Sequence, residues 1–191
     1  MDMPNTTCQR CERLPELPTD SERLILWPPL GHTLGKLKAT ASKLATVEDI
    51  AGGLLVDLSE SGAAGILAAL DGALTPGEQA DTYCLLTAGG PSPSAEELAG
   101  VSSLRKLVGL YGARWLLEVL DSDRLGTFFQ PIVDAARPTE PFAHECLLRW
   151  RDDSGQWKAP AELFRTAREA DLLFQLDRRA REINIRNAVD R

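Results

Sequence analysis

No apolar periodicity runs through residues 1–20, where Pro4, Pro15 and Pro18 punctuate a polar stretch that reads as an extended tail. The pattern changes at Arg23. Leu24, Ile25, Leu26 and Trp27 form a short apolar run closed by Pro28 and Pro29, the signature of a buried strand ending in a turn. Between Thr33 and Leu44 the residues Leu34, Leu37, Ala41 and Leu44 recur at steps of three and four, with Lys36, Lys38 and Lys43 elsewhere, which predicts an amphipathic helix. GLLVDL from Gly53 predicts a second strand, Ser61 to Leu74 a helix ended by Pro76 and Gly77, and TYCLLT from Thr82 a third strand that closes in the turn cluster Gly89 to Pro93. Strands alternating with helices argue for a small α/β domain over residues 21–110, with crossovers of a length that suits parallel pairing.

Ser94 opens a longer helical region. Glu97 three residues on completes a capping box, and Leu98, Val101, Leu104, Leu107, Val108 and Leu110 supply an apolar face. Tyr111 and Gly112 interrupt it, and ARWLLEVL resumes it from Ala113 as the first element of a second domain, so a boundary is expected near residue 110. Phe128 to Val133 is an apolar strand whose Pro131 confines it to an edge or an end. Phe142 to Trp150 alternates. Phe142, His144, Cys146, Leu148 and Trp150 fall on one face, and Ala143, Glu145, Leu147 and Arg149 on the other. That second face sets Glu145 and Arg149 about 13 Å apart at roughly 3.3 Å per residue. A carboxylate can hold a hard cation and a guanidinium can fork onto a phosphate, but the same pair also fits ordinary exposed strand charges.

Composition narrows the picture. The chain is 43% hydrophobic and 26% charged, the balance of an ordinary globular protein. No apolar run nears the roughly 20 residues that span a bilayer, and the N-terminus lacks the apolar core of a secretory signal, which points to the cytoplasm and away from a membrane. The formal charge of −7 is uneven: residues 1–123 carry 9 basic and 17 acidic side chains, residues 124–191 carry 12 and 11. Only 3 lysines lie between Glu22 and Arg105, so there is no basic stripe for a DNA or RNA backbone. The Arg-rich C-terminal part suits either an anionic ligand or a solvated helix face. Gly89-Gly90 lacks the spacing of a phosphate-binding fingerprint, and His32 is open to two readings, a ligand, or a helix cap or packed residue. Of the four cysteines, Cys8 and Cys11 form a single C-x-x-C in the Pro-rich tail. Two thiolates are half of a structural zinc site, so the pair is either a metal or redox pair or a surface pair without function.

The order of motifs in the last third carries more information than any one of them. FQPIV, a turn-rich connection, ECLLRW, Asp152-Asp153-Ser154-Gly155, and PAELFRTAREADLLFQLDR succeed one another. This succession resembles the start of the EAL domain family, with its Q-P-I, its E-A-L-x-R-W, and its P-x-x-F helix followed by L-D. The resemblance covers residues 111–191. It implies the first strands and helix of a modified (β/α)₈ barrel, incomplete here because such a barrel takes about 250 residues. It also implies metal-dependent hydrolysis of cyclic-di-GMP to a linear dinucleotide with Mg²⁺ or Mn²⁺. By the same resemblance Glu145 is the first metal ligand, Arg149 a phosphate contact, and Gln130 and Leu147 ligand contacts beside them. Cys146 stands where the family has Ala and should face away from the site. Arg168 replaces a Glu common in the family helix.

The family's later metal ligands have no counterpart in this sequence. Two readings compete: a truncated cyclic-di-GMP phosphodiesterase, inactive as it stands and able to pair as a homodimer through its EAL portion once completed, or a non-catalytic EAL-derived interaction or regulatory protein. Residues 21–110 would then be a regulatory module by position. The tail has its own test. If Cys8 and Cys11 bind zinc, purified protein should contain near-stoichiometric zinc that disappears in a Cys8→Ser, Cys11→Ser variant; zinc-free protein of unchanged stability would leave the surface-pair reading.

Overall fold

A computed structural model of the chain describes residues 13–18, 21–89 and 92–189. Cys8 and Cys11 lie outside them. The described residues form two compact units, one spanning 16–112 and the other 113–189 together with 13–15, each with its own sheet. None of the described helices is long and apolar enough to cross a membrane.

The first unit contains β1 (Arg23–Trp27), α1 (Gly31–Ala41), β2 (Val47–Ile50), β3 (Gly53–Asp57), α2 (Gly62–Ala73), α3 (Pro76–Asp81), β4 (Tyr83–Thr87), α4 (Ala95–Leu98), β5 (Ser102–Ser103) and α5 (Leu104–Gly112). The strand order is β2-β3-β1-β4-β5, and every neighbouring pair is antiparallel. This corrects the expectation of parallel pairing, and β2 is the reason. VEDI is short and only half-buried at its two apolar ends, so it gives no strand signal of its own. It joins β3 through the two-residue turn Ala51-Gly52, in which Gly52 takes a φ of 73°. The chain therefore reverses before β3 returns between β1 and β2, giving a split β-α-β-β-α-β arrangement.

The pleat explains why RLILW, GLLVD and YCLLT read as continuous apolar runs. Leu24, Leu26, Leu54, Val56 and Cys84 pack against Leu37 and Ala41 of α1, Ile66, Leu67 and Leu70 of α2, and Leu104 and Leu107 of α5. On the opposite face Ile25 and Leu85, paired across β1 and β4, are also buried. Strands buried on both faces lose the alternation of a half-exposed sheet. Burial pushes the Cys84 thiol up to about 12, so it behaves as a small apolar core residue. Gly53 is tied to this packing, because a Cβ there would collide with the Leu26 carbonyl oxygen on the neighbouring strand.

Polar contacts fix the helix ends. Thr75 and Glu78 form a reciprocal capping box at α3, with Pro76 in the first turn. The hydrogen bond from Lys36 (2.8 Å) and that from the Thr75 N–H hold Glu78 at about 2, and His32 Nε2 lies 3.4 Å from the same carboxylate. His32 thus sits exposed in the first turn of α1 as a partner of Glu78. Ser94 and Glu97 form the expected box at α4, but the long helix predicted from Ser94 is broken. Glu97 also accepts from the Ala88 N–H (3.0 Å), and Ser102 and Ser103 pair with Cys84 and Tyr83 as β5. The backbone at β5 satisfies the free edge of β4 instead of continuing a helix, and Leu98, expected on the apolar face, is 51% exposed.

The second unit contains α6 (Arg114–Asp121), β6 (Leu125–Asp134), β7 (Arg137–Arg151), β8 (Trp157–Lys158), α7 (Ala161–Glu169) and α8 (Leu173–Val189). The sheet order is β6-β7-β8, all antiparallel, so Pro131 does lie on an edge strand. One sheet face meets the helices. The Trp115 and Trp150 rings lie 5.1 Å apart, the Thr127 hydroxyl bonds Asn184 Oδ1 of α8 (2.6 Å), and Leu125, Leu148, Leu163, Leu176 and Ile183 are buried. Asp171, at a φ of 60°, turns the chain between α7 and α8, and the Leu172 N–H closes that turn on the Ala167 carbonyl (2.7 Å).

Truncating a residue at the first unit's core separates packing from surface. Leu54→Ala should cost about 2–5 kcal/mol in urea unfolding, through lost transfer energy and the cavity left behind. Leu98→Ala, on the exposed α4, should stay within about 0.5 kcal/mol of the parent protein.

Candidate functional site

The β6–β7 register decides which side chains meet. Gly126 lies opposite Arg149, Phe128 opposite Leu147, and Gln130 opposite Glu145, with Arg151 opposite Trp157 of β8 on the other flank. Residues directly opposite in a ladder share a face. The register shifts in this pair fall beyond Ile132, toward the hairpin end, so the alternation is unbroken from Gly126 to Gln130. Gln130, Glu145, Leu147 and Arg149 therefore stand together on the sheet face turned away from the helices. Cys146, Leu148 and Trp150 occupy the other face, and Cys146 points away from Glu145 as expected.

Gln130 and Glu145 are exposed, Leu147 and Arg149 half-buried. The Glu145 carboxylate makes no hydrogen bond or ion pair with another described residue. Arg149 donates to the Leu148 carbonyl (2.8 Å) and its guanidinium carbon lies 5.6 Å from the centre of the Phe128 ring. Three residues that the motif reading did not single out share this face. Phe128 meets Trp157 edge-on at 5.4 Å, and the Arg151 guanidinium carbon lies 4.5 Å from the Trp157 ring centre. Gly126 makes room for this group, because a Cβ there would come within 2.5 Å of the indole. Phe128 and Arg151 were accessible from the period-2 pattern through Gln130 and Arg149. Trp157 was not, since a two-residue strand has no periodicity.

The turn before Trp157 is held by one carboxylate. Asp152 accepts from the Ser154 N–H (2.9 Å), the Ser154 hydroxyl (2.6 Å) and the Gln156 N–H (2.9 Å), and pairs with Lys158 (3.1 Å). The Ser154 hydroxyl, the Gln156 N–H and Lys158 together hold this carboxyl well below the usual range. Gly155, at a φ of 78°, lets the four-residue turn close. Arg124, immediately before β6, braces it by donating to the Arg151 carbonyl (2.9 Å) and pairing with Asp153 (2.8 Å).

The donor set on this face does not make up a two-metal centre. Mg²⁺ keeps several waters and is held by one or two carboxylates with substrate phosphates, but a two-metal centre needs several carboxylates. Among the described residues no group of three His, Cys, Asp or Glu side chains is placed to hold a metal ion. Glu145 with the Gln130 amide opposite falls short of that requirement. The face offers one carboxylate without a partner, one amide and two guanidinium groups lying over aromatic rings, and among the described residues no carboxylate pairs with either of those arginines.

The family model of the EAL domain matches residues 113–190, a range that takes in α6 to α8 of the second unit and every residue of this face. No curated protein matches the chain.

Because the folded Asp152 carboxyl is depressed, its contribution to stability is complete above the ordinary Asp value of about 3.9 and is lost as the pH falls through the lower folded value. Asp152→Ala should lower the thermal midpoint at pH 6, and the gap to the parent protein should shrink steadily below about pH 4. A gap that is constant from about pH 7 to strongly acidic pH would show that the turn does not depend on the ionised carboxylate.

Proposed function

We propose that residues 113–190, an EAL-domain segment, bind cyclic-di-GMP on the open face of the β6–β7–β8 sheet, and that residues 1–191 do so without hydrolysing it. The observation that carries this reading is the placement of Gln130, Glu145, Leu147 and Arg149 on one face by an unbroken register. Arg149 supplies a planar cation for a phosphodiester, Gln130 an amide that can donate and accept, and Leu147 an apolar floor between them. Glu145 stands at the position of the family's first metal ligand. Mg²⁺ or Mn²⁺, when bound in a complete site, supplies the activated water and neutralises charge on the phosphate. This donor set alone does not hold that centre, so no hydrolytic step is assigned to it. In this reading β6, β7 and α7 are opening elements of a (β/α)₈-type barrel, and residues 21–110 are a regulatory module for it.

The second reading, an EAL-derived interaction protein, draws on a different observation. Phe142 is 75% exposed, and Ile132 and Val133 are also exposed along the same hairpin. These side chains would cover well against another polypeptide.

Titration calorimetry with cyclic-di-GMP separates the two readings. The full chain should bind the dinucleotide weakly in metal-free buffer, Arg149→Ala should weaken it roughly tenfold, and Glu145→Ala should leave it within about twofold. Chromatography after incubation with Mg²⁺ or Mn²⁺ should show no linear product. Absence of binding by folded protein removes the dinucleotide reading, and sustained turnover overturns the assignment of an incomplete centre.

A further inference from the structure

We propose that Trp157 and Arg151 form a base-stacking platform, on which one purine of a nucleotide lies against the guanidinium layered over the indole while its phosphate reaches Arg149. This rests on the dinucleotide reading above and extends it to residues outside the matched motifs.

Four observations place the ligand. Phe128 and Trp157 are 43% and 38% exposed on the sheet face that carries Gln130 and Arg149, although they pack edge-on at 5.4 Å. Arg151 lies over Trp157 at 4.5 Å and Arg149 over Phe128 at 5.6 Å, so two planar cations are already parked on aromatic rings. Neither has a carboxylate partner among the described residues, whereas Arg124, Arg165, Arg178 and Arg181 of the same unit are each in an ion pair. Finally, the platform is built rather than incidental: Gly126 leaves space for the indole, and the Asp152 turn fixes the strand that bears it.

These features select an anionic ligand with a flat ring. Positive charge on Arg149 and Arg151, not neutralised by a neighbouring carboxylate, attracts phosphate, and the two Cα positions are about 7 Å apart at roughly 3.3 Å per residue. Bases stack both on aromatic side chains and on arginine planes, which makes a base–guanidinium–indole layer favourable without base-specific hydrogen bonds. An apolar peptide would leave both cations unmatched, and a bare phosphate would leave the rings exposed.

The test uses the full chain with cyclic-di-GMP and ribose 5-phosphate as probes, read by calorimetry and tryptophan fluorescence. Trp157→Ala should weaken cyclic-di-GMP binding about tenfold, the size of one stacking contact. Trp157→Phe should keep binding within about threefold but abolish the quenching of emission on saturation. Arg151→Lys, which keeps the charge and loses the plane, should weaken the dinucleotide more than ribose 5-phosphate. Gly126→Ala, which displaces the indole and removes no ring atom, should behave like Trp157→Ala. If the parent protein binds cyclic-di-GMP and all four variants bind it equally, the platform is overturned while the dinucleotide reading stands. If folded parent protein binds neither probe, both fall.

Discussion

The pairing of Gln130 with Glu145, and the ladder that extends it to Gly126 and Arg149, is the constraint on which the second unit depends. Side chains in a strand alternate with a period of two, so a slip of one residue would send Glu145, Leu147 and Arg149 to the opposite face from Gln130 and Phe128. The groups that prevent the slip lie on the other side of the sheet. Trp150 packs against Trp115 in a tilted pair and donates its indole N–H to the Ala159 carbonyl (3.2 Å), Leu148 is buried, and Thr127 is bonded to Asn184 of α8. An apolar face with hydrogen-bonded anchors sets the register, and the exposed face inherits its geometry.

The exposed face is consequently polar and aromatic at once. Among the described residues Glu145 has no hydrogen-bond or ion-pair partner, and Arg149 and Arg151 have no carboxylate partner and lie over ring faces. An arginine stacked on an aromatic ring keeps its plane and most of its donors available. The nucleotide-binding reading proposed above rests on this combination of cations and rings. Among the described residues no group of three His, Cys, Asp or Glu side chains is placed to hold a metal ion, so no hydrolytic step is assigned to this face.

In the first unit the same physics serves packing and helix ends. Its strands bury side chains on both faces, and its polar groups serve helix ends, as in the Thr75–Glu78 and Ser94–Glu97 boxes. Cys84 is a core residue and His32 pairs with Glu78 on the surface. Neither gathers with other titratable groups into a cluster that could hold a metal among the described residues.

Covalent geometry made several features legible in the sequence. Continuous apolar runs located β1, β3 and β4, three- and four-residue steps located α1 and α2, and the alternation from Phe142 to Trp150 placed Glu145, Leu147 and Arg149 on one face. Pro131 marked an edge strand because it has no N–H to give a second neighbour. Other features depended on contacts between distant residues. VEDI and Ser102-Ser103 became strands only because the edges of β3 and β4 had free backbone groups to satisfy, and β2 then turned an expected parallel sheet into an antiparallel one. Trp157 reached Phe128 through the Asp152 turn, with Gly126 leaving the space, a meeting that no local period encodes. Periodicity assigns side chains to the two faces of a strand. Which face is buried, and what joins it from elsewhere in the chain, is decided by the apolar surface that the assembled elements remove from water.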